Sequence, residues 1–75
     1  MDKIIQNNLI GQNLKRLRLK NKLTQEQTVL KLQLMGIDIS RGSYAKIEVG
    51  KRNIYVNELK ALKEIFKGTY EEIFE

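Results

Sequence analysis

Two tetrads, Thr24-Gln25-Glu26-Gln27 and Thr69-Tyr70-Glu71-Glu72, are capping boxes, and they fix where two helices begin. In each, the threonine hydroxyl can accept a backbone N–H from the last residue of the tetrad, whose side chain reaches back to the threonine N–H. Glycines supply the opposite punctuation: Gly36, Gly50 and Gly68 each follow an apolar-periodic stretch and suit a helix end. There is no proline, no internal repeat and no low-complexity linker between these signals. The chain therefore reads as a series of short helices.

The first helix is expected over about Leu9–Asn21, with Ile10, Leu14, Leu17 and then Leu23 at helical spacing. Lys15, Arg16, Arg18, Lys20 and Lys22 make its other face basic. Gly11 reads as a tolerated cost of about 1 kcal/mol relative to alanine. The second helix starts at the Thr24 cap, carries Thr28, Val29 and Leu32 inward, and runs to Leu34 or Met35 before Gly36. Ile37-Asp38-Ile39 alternates like a strand but is too short for one, and reads as a turn with two apolar anchors. Ser40 caps a third helix over Arg41–Glu48, with Tyr44 and Ile47 inward and Gly50 at its end. A fourth runs from about Val56 to Lys67, with Val56, Leu59, Leu62 and Phe66 on one face and Gly68 as the stop. A short fifth helix presents Ile73 and Phe74. No strand pattern stands out, so the expectation is all-α: a compact five-helix bundle over 9–75 behind an N-terminal arm of 1–8. The ending Glu71-Glu72-Ile73-Phe74-Glu75 reads as complete for a domain.

The residues that are missing exclude much chemistry. Cysteine and histidine are both absent. That removes disulfides, thiolate and imidazole metal ligands, and the commonest general base. The chain is expected not to be an enzyme and to need no cofactor or metal. No run approaches 18 apolar residues, and Met1-Asp2-Lys3-Ile4-Ile5-Gln6 has no signal-peptide core, so a soluble cytoplasmic protein is expected.

The charge is uneven. Through Arg52 there are 11 basic and 4 acidic side chains, a balance of +7; from Asn53 onward 3 basic and 5 acidic give −2. Such asymmetry suits a polyanion at one face, although a merely basic surface has the same composition.

Leu23-Thr24-Gln25 followed by Ile47-Glu48-Val49-Gly50-Lys51-Arg52 resembles the lambda-repressor-like, Xre/Cro-type helix-turn-helix regulators. The upstream Leu14-Lys15-Arg16-Leu17-Arg18 looks like the first helix of that family. Leu59, Leu62, Phe66 and Tyr70-Glu71-Glu72-Ile73-Phe74 look like its last two helices. The resemblance covers nearly all of residues 9 to 75. It implies that the third helix enters the major groove of double-stranded DNA, with Arg41, Gly42, Ser43 and Lys46 at base edges. An arginine there could pair with guanine O6 and N7, and a glycine lets the backbone come close. Gln25 then matches a phosphate-contacting position, with Thr24, Ser40, Lys51, Arg52 and Asn53 as further phosphate contacts. The resemblance also implies that Arg18 belongs to the scaffold, paired with Glu48. Lys15, Lys20 and Lys22 stay open between phosphate contact and an ordinary solvated face.

The sequence departs from the family pattern between the two halves of the motif. A glycine is usual eight residues after the glutamine, at the position of Gln33; here it is Gly36. From there to Glu48 the chain is again two residues longer than usual, five in all. Extra turns of the second helix or a longer link through Leu34 to Ile39 could absorb them. Val29 stands where a smaller alanine is usual, and Ile54 where proline is frequent.

The function implied is a sequence-specific transcriptional regulator, most simply a repressor, of a bacterium or phage. It would bind a near-palindromic operator as a homodimer, with no membrane and no small-molecule substrate. Ile65, Phe66, Tyr70, Ile73 and Phe74 are candidates for the dimer surface, Phe66 and Ile73 being better suited to the monomer core. The alternative is a protein-interaction module, such as an antitoxin or phage regulator, for which DNA is secondary.

Overall fold

A computed structural model describes the backbone of Lys3–Ile4 and the whole of residues 8–75. The elements are β1 (Lys3–Ile4), α1 (Leu9–Lys20), α2 (Gln25–Leu34), α3 (Arg41–Glu48), β2 (Ile54–Tyr55), α4 (Val56–Ile65) and α5 (Tyr70–Phe74). The architecture is an all-α bundle of five short helices. None of the described helices is long and apolar enough to cross a membrane.

The arm expected over 1–8 lies outside the described residues except for Lys3, Ile4 and Asn8. Lys3–Ile4 corrects the expectation of no strand: β1 pairs antiparallel with β2, Lys3 opposite Tyr55 and Ile4 opposite Ile54. Two residues per strand are too few to leave an alternating pattern in the sequence.

The caps are formed by the residues that announced them. Thr24 accepts the Gln27 N–H at 3.0 Å while Gln27 Oε1 accepts the Thr24 N–H at 2.8 Å. Thr69 and Glu72 make the same reciprocal pair at 3.1 and 2.9 Å. Ser40 Oγ accepts the Ser43 N–H at 3.1 Å. The helix ends are less regular. Gly36 and Gly50 take left-handed conformations, φ 85° and 77°. At the end of α4, however, Lys67 takes that role with φ 53°, and the helix stops at Ile65, two residues before the expected end. Gly68 serves packing instead: a Cβ there would lie 3.1 Å from Leu17 Cδ1.

One core holds the helices together. Leu14 and Leu17 from α1, Val29 and Leu32 from α2, Tyr44 and Ile47 from α3, Leu59 and Leu62 from α4 and Ile73 from α5 are all buried in it. Ile39, in the α2–α3 connection, and Ile54, in β2, join them, and Leu23, Ile37 and Ile65 pack at the edge. Phe66 and Ile73 are core residues, exposed by only 2% and 0%. Gly11 corrects the reading of a mere cost. A Cβ there would meet the carbonyl oxygens of Ile47 and Glu48 at 2.3 and 2.6 Å. Glycine is what lets α1 cross the end of α3 this closely.

The longer segment between the motif halves is divided between helix and link. Gln33, at the position of the usual glycine, lies inside α2, which continues to Leu34. The connection then turns at Gly36 and returns to the core through Ile39 before Ser40 opens α3.

Candidate nucleic-acid interface

α3 is an eight-residue helix with two distinct sides. Tyr44, Ile47 and Glu48 are buried, while Arg41, Gly42 and Lys46 are exposed, with Ser43 and Ala45 between. The spacing follows from the 3.6-residue period, since 44 and 47–48 fall on one face and 42 and 46 on the other. Its position is fixed by α1 through the Gly11 crossing and by α2, whose Val29 and Leu32 share the core with Tyr44 and Ile47.

A polar network ties this helix to its neighbours. Arg18 on α1 donates to Glu48 in two places, Nε to Oε2 at 2.7 Å and Nη2 to Oε1 at 3.1 Å. Arg18 Nη1 also donates to the Leu23 carbonyl at 2.8 Å. Gln25, the first residue of α2, donates to Glu48 Oε1 at 3.1 Å and accepts from Arg41 Nη1 at 3.2 Å. The network thus joins the start of α2 to both ends of α3. Burial pushes the Glu48 carboxyl up, but the hydrogen bond from Arg18, with help from Tyr44 and Gln25, outweighs it and holds the pKa below the ordinary value of 4.5. The Tyr44 hydroxyl is buried beside the pair without a hydrogen bond of regular geometry. Burial raises its pKa.

The residues expected at phosphates fall into two sets. Thr24, Ser40 and Lys51 are exposed, Gln25 and Asn53 half-buried. The hydroxyls of Thr24 and Ser40 are already engaged as caps. An open depression of about 560 Å³ beside them is lined by Lys22, Thr24, Gln25 and Arg41 among others. Arg52 is different. Its Nη1 and Nη2 donate to Glu58 Oε1 and Oε2 at 3.0 and 3.1 Å, and Nη1 also donates to the Asn53 carbonyl at 3.1 Å. Its guanidinium lies 5.7 Å from the Tyr55 ring centre. The side chain expected at a phosphate thus also fastens the connection after α3 onto α4. By contrast, Arg41, Lys46 and Lys51 are exposed and take no part in an ion pair among the described residues.

Several structural residues escaped the sequence reading. Glu58 accepts the Tyr55 N–H at 2.9 Å, a capping bond at the start of α4. Its signal was hidden because the residue before the helix is tyrosine, not a serine or threonine. Asn13 is fully buried on α1 and donates to the Ile73 carbonyl at 2.8 Å, and Asn21 donates to the Phe66 carbonyl at 2.9 Å. Both asparagines sit in a helix that reads as basic and amphipathic, with nothing local to mark them.

Chemically, this surface offers cations, amide and hydroxyl groups and one bare stretch of backbone at Gly42. No cluster of acidic side chains that could hold a metal ion occurs among the described residues. No family model matches the chain, and no curated protein or solved structure matches it either.

Proposed function

We infer that this chain is a sequence-reading, double-stranded DNA-binding regulator of the lambda-repressor-like, Xre/Cro type, acting in the cytoplasm of a bacterium or on phage DNA. The observation that carries the reading is Gly42. A Cβ at this position would meet nothing closer than Ser40 Oγ at 4.0 Å, and the residue does not take a left-handed conformation. The fold therefore has no use for glycine here, and an exposed helical glycine costs up to about 1 kcal/mol. A partner surface approaching the backbone accounts for it. Arg41 and Lys46, in no ion pair among the described residues, flank it with positive charge, which suits the floor of a major groove between two phosphate rows.

The reading includes a homodimer, which the size of the molecule supports. Half-sites one turn apart lie about 34 Å from each other, farther than the longest extent of the molecule, 27 Å. One copy reads one half-site, and a near-palindromic operator takes two. Repression is the simplest outcome, by occupying a promoter.

The test is selection of bound duplexes from a random pool at two salt concentrations. An enriched motif is expected, with affinity falling steeply as salt rises. Arg41→Glu with Lys46→Glu is expected to abolish that binding. No enriched motif and no salt dependence would overturn the reading.

A second reading has one observation in its favour. Leu30 and Leu34, one turn apart on α2, are 59% and 88% exposed, and Met35 beside them is 45% exposed. Such a ridge suits a protein partner. In that case the charge reversals on α3 spare partner binding, whereas Leu30→Ser with Leu34→Ser removes it.

A further inference from the structure

At the C-terminal end of α3, the residue that caps the helix is an apolar side chain that the DNA reading leaves without a role, Val49. It is 58% exposed. Solitary apolar side chains are ordinary on protein surfaces; what distinguishes this one is its place. Val49 follows Gly42 by seven residues, so at 3.6 residues per turn the two lie almost on one line, about 10 Å apart along the axis. Val49 is the C-cap, with φ −97° and ψ 6°, but its N–H still bonds the Ala45 carbonyl at 3.3 Å, so the helical line reaches it. Exposed Lys46 and half-buried Ala45 fill the turn between, and exposed Lys51 lies just beyond. A branched hydrocarbon is thus set among cations, on the side of the helix opposite buried Tyr44 and Ile47.

A surface of that kind matches a polyanion that carries an apolar group. On the major-groove edge of B-DNA that group is the C5-methyl of thymine, since the other positions are hydrogen-bond donors and acceptors. We propose that Val49 packs against a thymine methyl about three base pairs along the groove from the step that Gly42 approaches, and so selects thymine there. The proposal rests on the DNA-binding reading and adds a base preference to it. It requires α3 to follow the groove along its length, not to enter by its first turn alone.

The experiment uses the duplex selected by the protein itself. Each thymine in one half-site is replaced in turn by deoxyuridine, which lacks only the C5-methyl. Affinity is measured for the unaltered protein, Val49→Ala and Val49→Thr. The expected result is at least one thymine whose replacement weakens the unaltered protein by about fourfold, the ratio that burying one methyl-sized group supports. At that position Val49→Ala no longer distinguishes the two bases, and Val49→Thr, with one methyl kept, shows a reduced ratio. The dependence on salt is unchanged, because no charge is altered. An exposed side chain is replaced, so melting temperatures are expected to stay within a degree or two, and they are measured alongside. If every deoxyuridine effect is as large in Val49→Ala as in the unaltered protein, or if there is none, the assignment is wrong while sequence-selective, salt-dependent binding still stands. If no duplex is selected at any salt, both readings fall together.

Discussion

Arg18 and Glu48, thirty residues apart in the chain, share two nitrogen–oxygen contacts of 2.7 and 3.1 Å with side chains only 9% and 2% exposed. The pair joins the last turn of α1 to the last residue of α3. It sits behind the surface proposed to read DNA and holds Gln25, which in turn holds Arg41. Scaffold and reading face are thus one continuous hydrogen-bonded chain.

Breaking one side of the pair leaves a buried charge unmatched. Glu48→Ala is expected to cost about 3–5 kcal/mol, the usual penalty for stranding one partner of a buried pair. For a chain of this size, with a stability on the order of 4–11 kcal/mol, that brings the melting temperature down by many degrees. Replacing both at once, Arg18→Met with Glu48→Leu, is expected to recover much of the loss. The check is thermal and urea unfolding of both singles and the double; equal melting temperatures for Glu48→Ala and the parent protein count against the pair as a structural element.

The same carboxylate gives a pH dependence with a definite sign. Glu48 titrates below its ordinary value of 4.5 in the folded protein. On acidification the unfolded chain takes up its proton first, so the stabilisation is complete above the ordinary value. It is lost as pH falls from there through the lower folded value. Melting curves recorded from pH 7 to pH 3 are expected to fall more steeply for the parent than for Glu48→Gln below pH 4.5. Parallel curves would assign the acid sensitivity to other carboxylates.

Gly11 is a separate test of the α1–α3 crossing. Its nearest neighbours are main-chain carbonyl oxygens, which cannot turn aside as a side chain would. Gly11→Ala would gain helix propensity on an isolated α1 but must push the helices apart. A net destabilisation of roughly 1–3 kcal/mol is expected, read as a lower urea midpoint. A stabilised Gly11→Ala would mean that the two helices do not approach this closely.

What the sequence discloses about this molecule is local. Thr24, Ser40 and Thr69 announce helix starts because a cap needs only its own next three residues. Leu14, Leu17, Leu59 and Leu62 announce core faces because period suffices. Gly11 and Glu58 disclose nothing alone: the first depends on two carbonyls from α3, the second on an arginine six residues before it. Arg18 is likewise indistinguishable from Arg16 by local pattern, and only its family resemblance separates the two. Arg52 shows what that resemblance leaves out. It implies a phosphate contact, but nothing in it marks the bidentate bond to the Glu58 carboxylate, six residues on.

Gly42 sets stability against function at a single atom. There is room for a Cβ, the backbone is helical, and the position is in the exposed first turn of α3. Gly42→Ala is therefore expected to raise stability by about 0.4–1 kcal/mol, chiefly by restricting the unfolded chain. If the backbone at this position approaches base edges, the added methyl group intrudes on the contact, and affinity for the selected duplex falls about tenfold or more. Arg41→Lys serves as a comparison, because it keeps the charge while removing the planar fork that the proposed guanine contact needs. It is expected to lose sequence preference with little change in stability. The informative result is the opposite movement of two measurements on Gly42→Ala: a higher urea midpoint and weaker binding in a fluorescence anisotropy titration. A variant that is more stable and binds as tightly would mean that nothing approaches α3 at its first turn, and the reading of this face as the DNA surface would have to be abandoned.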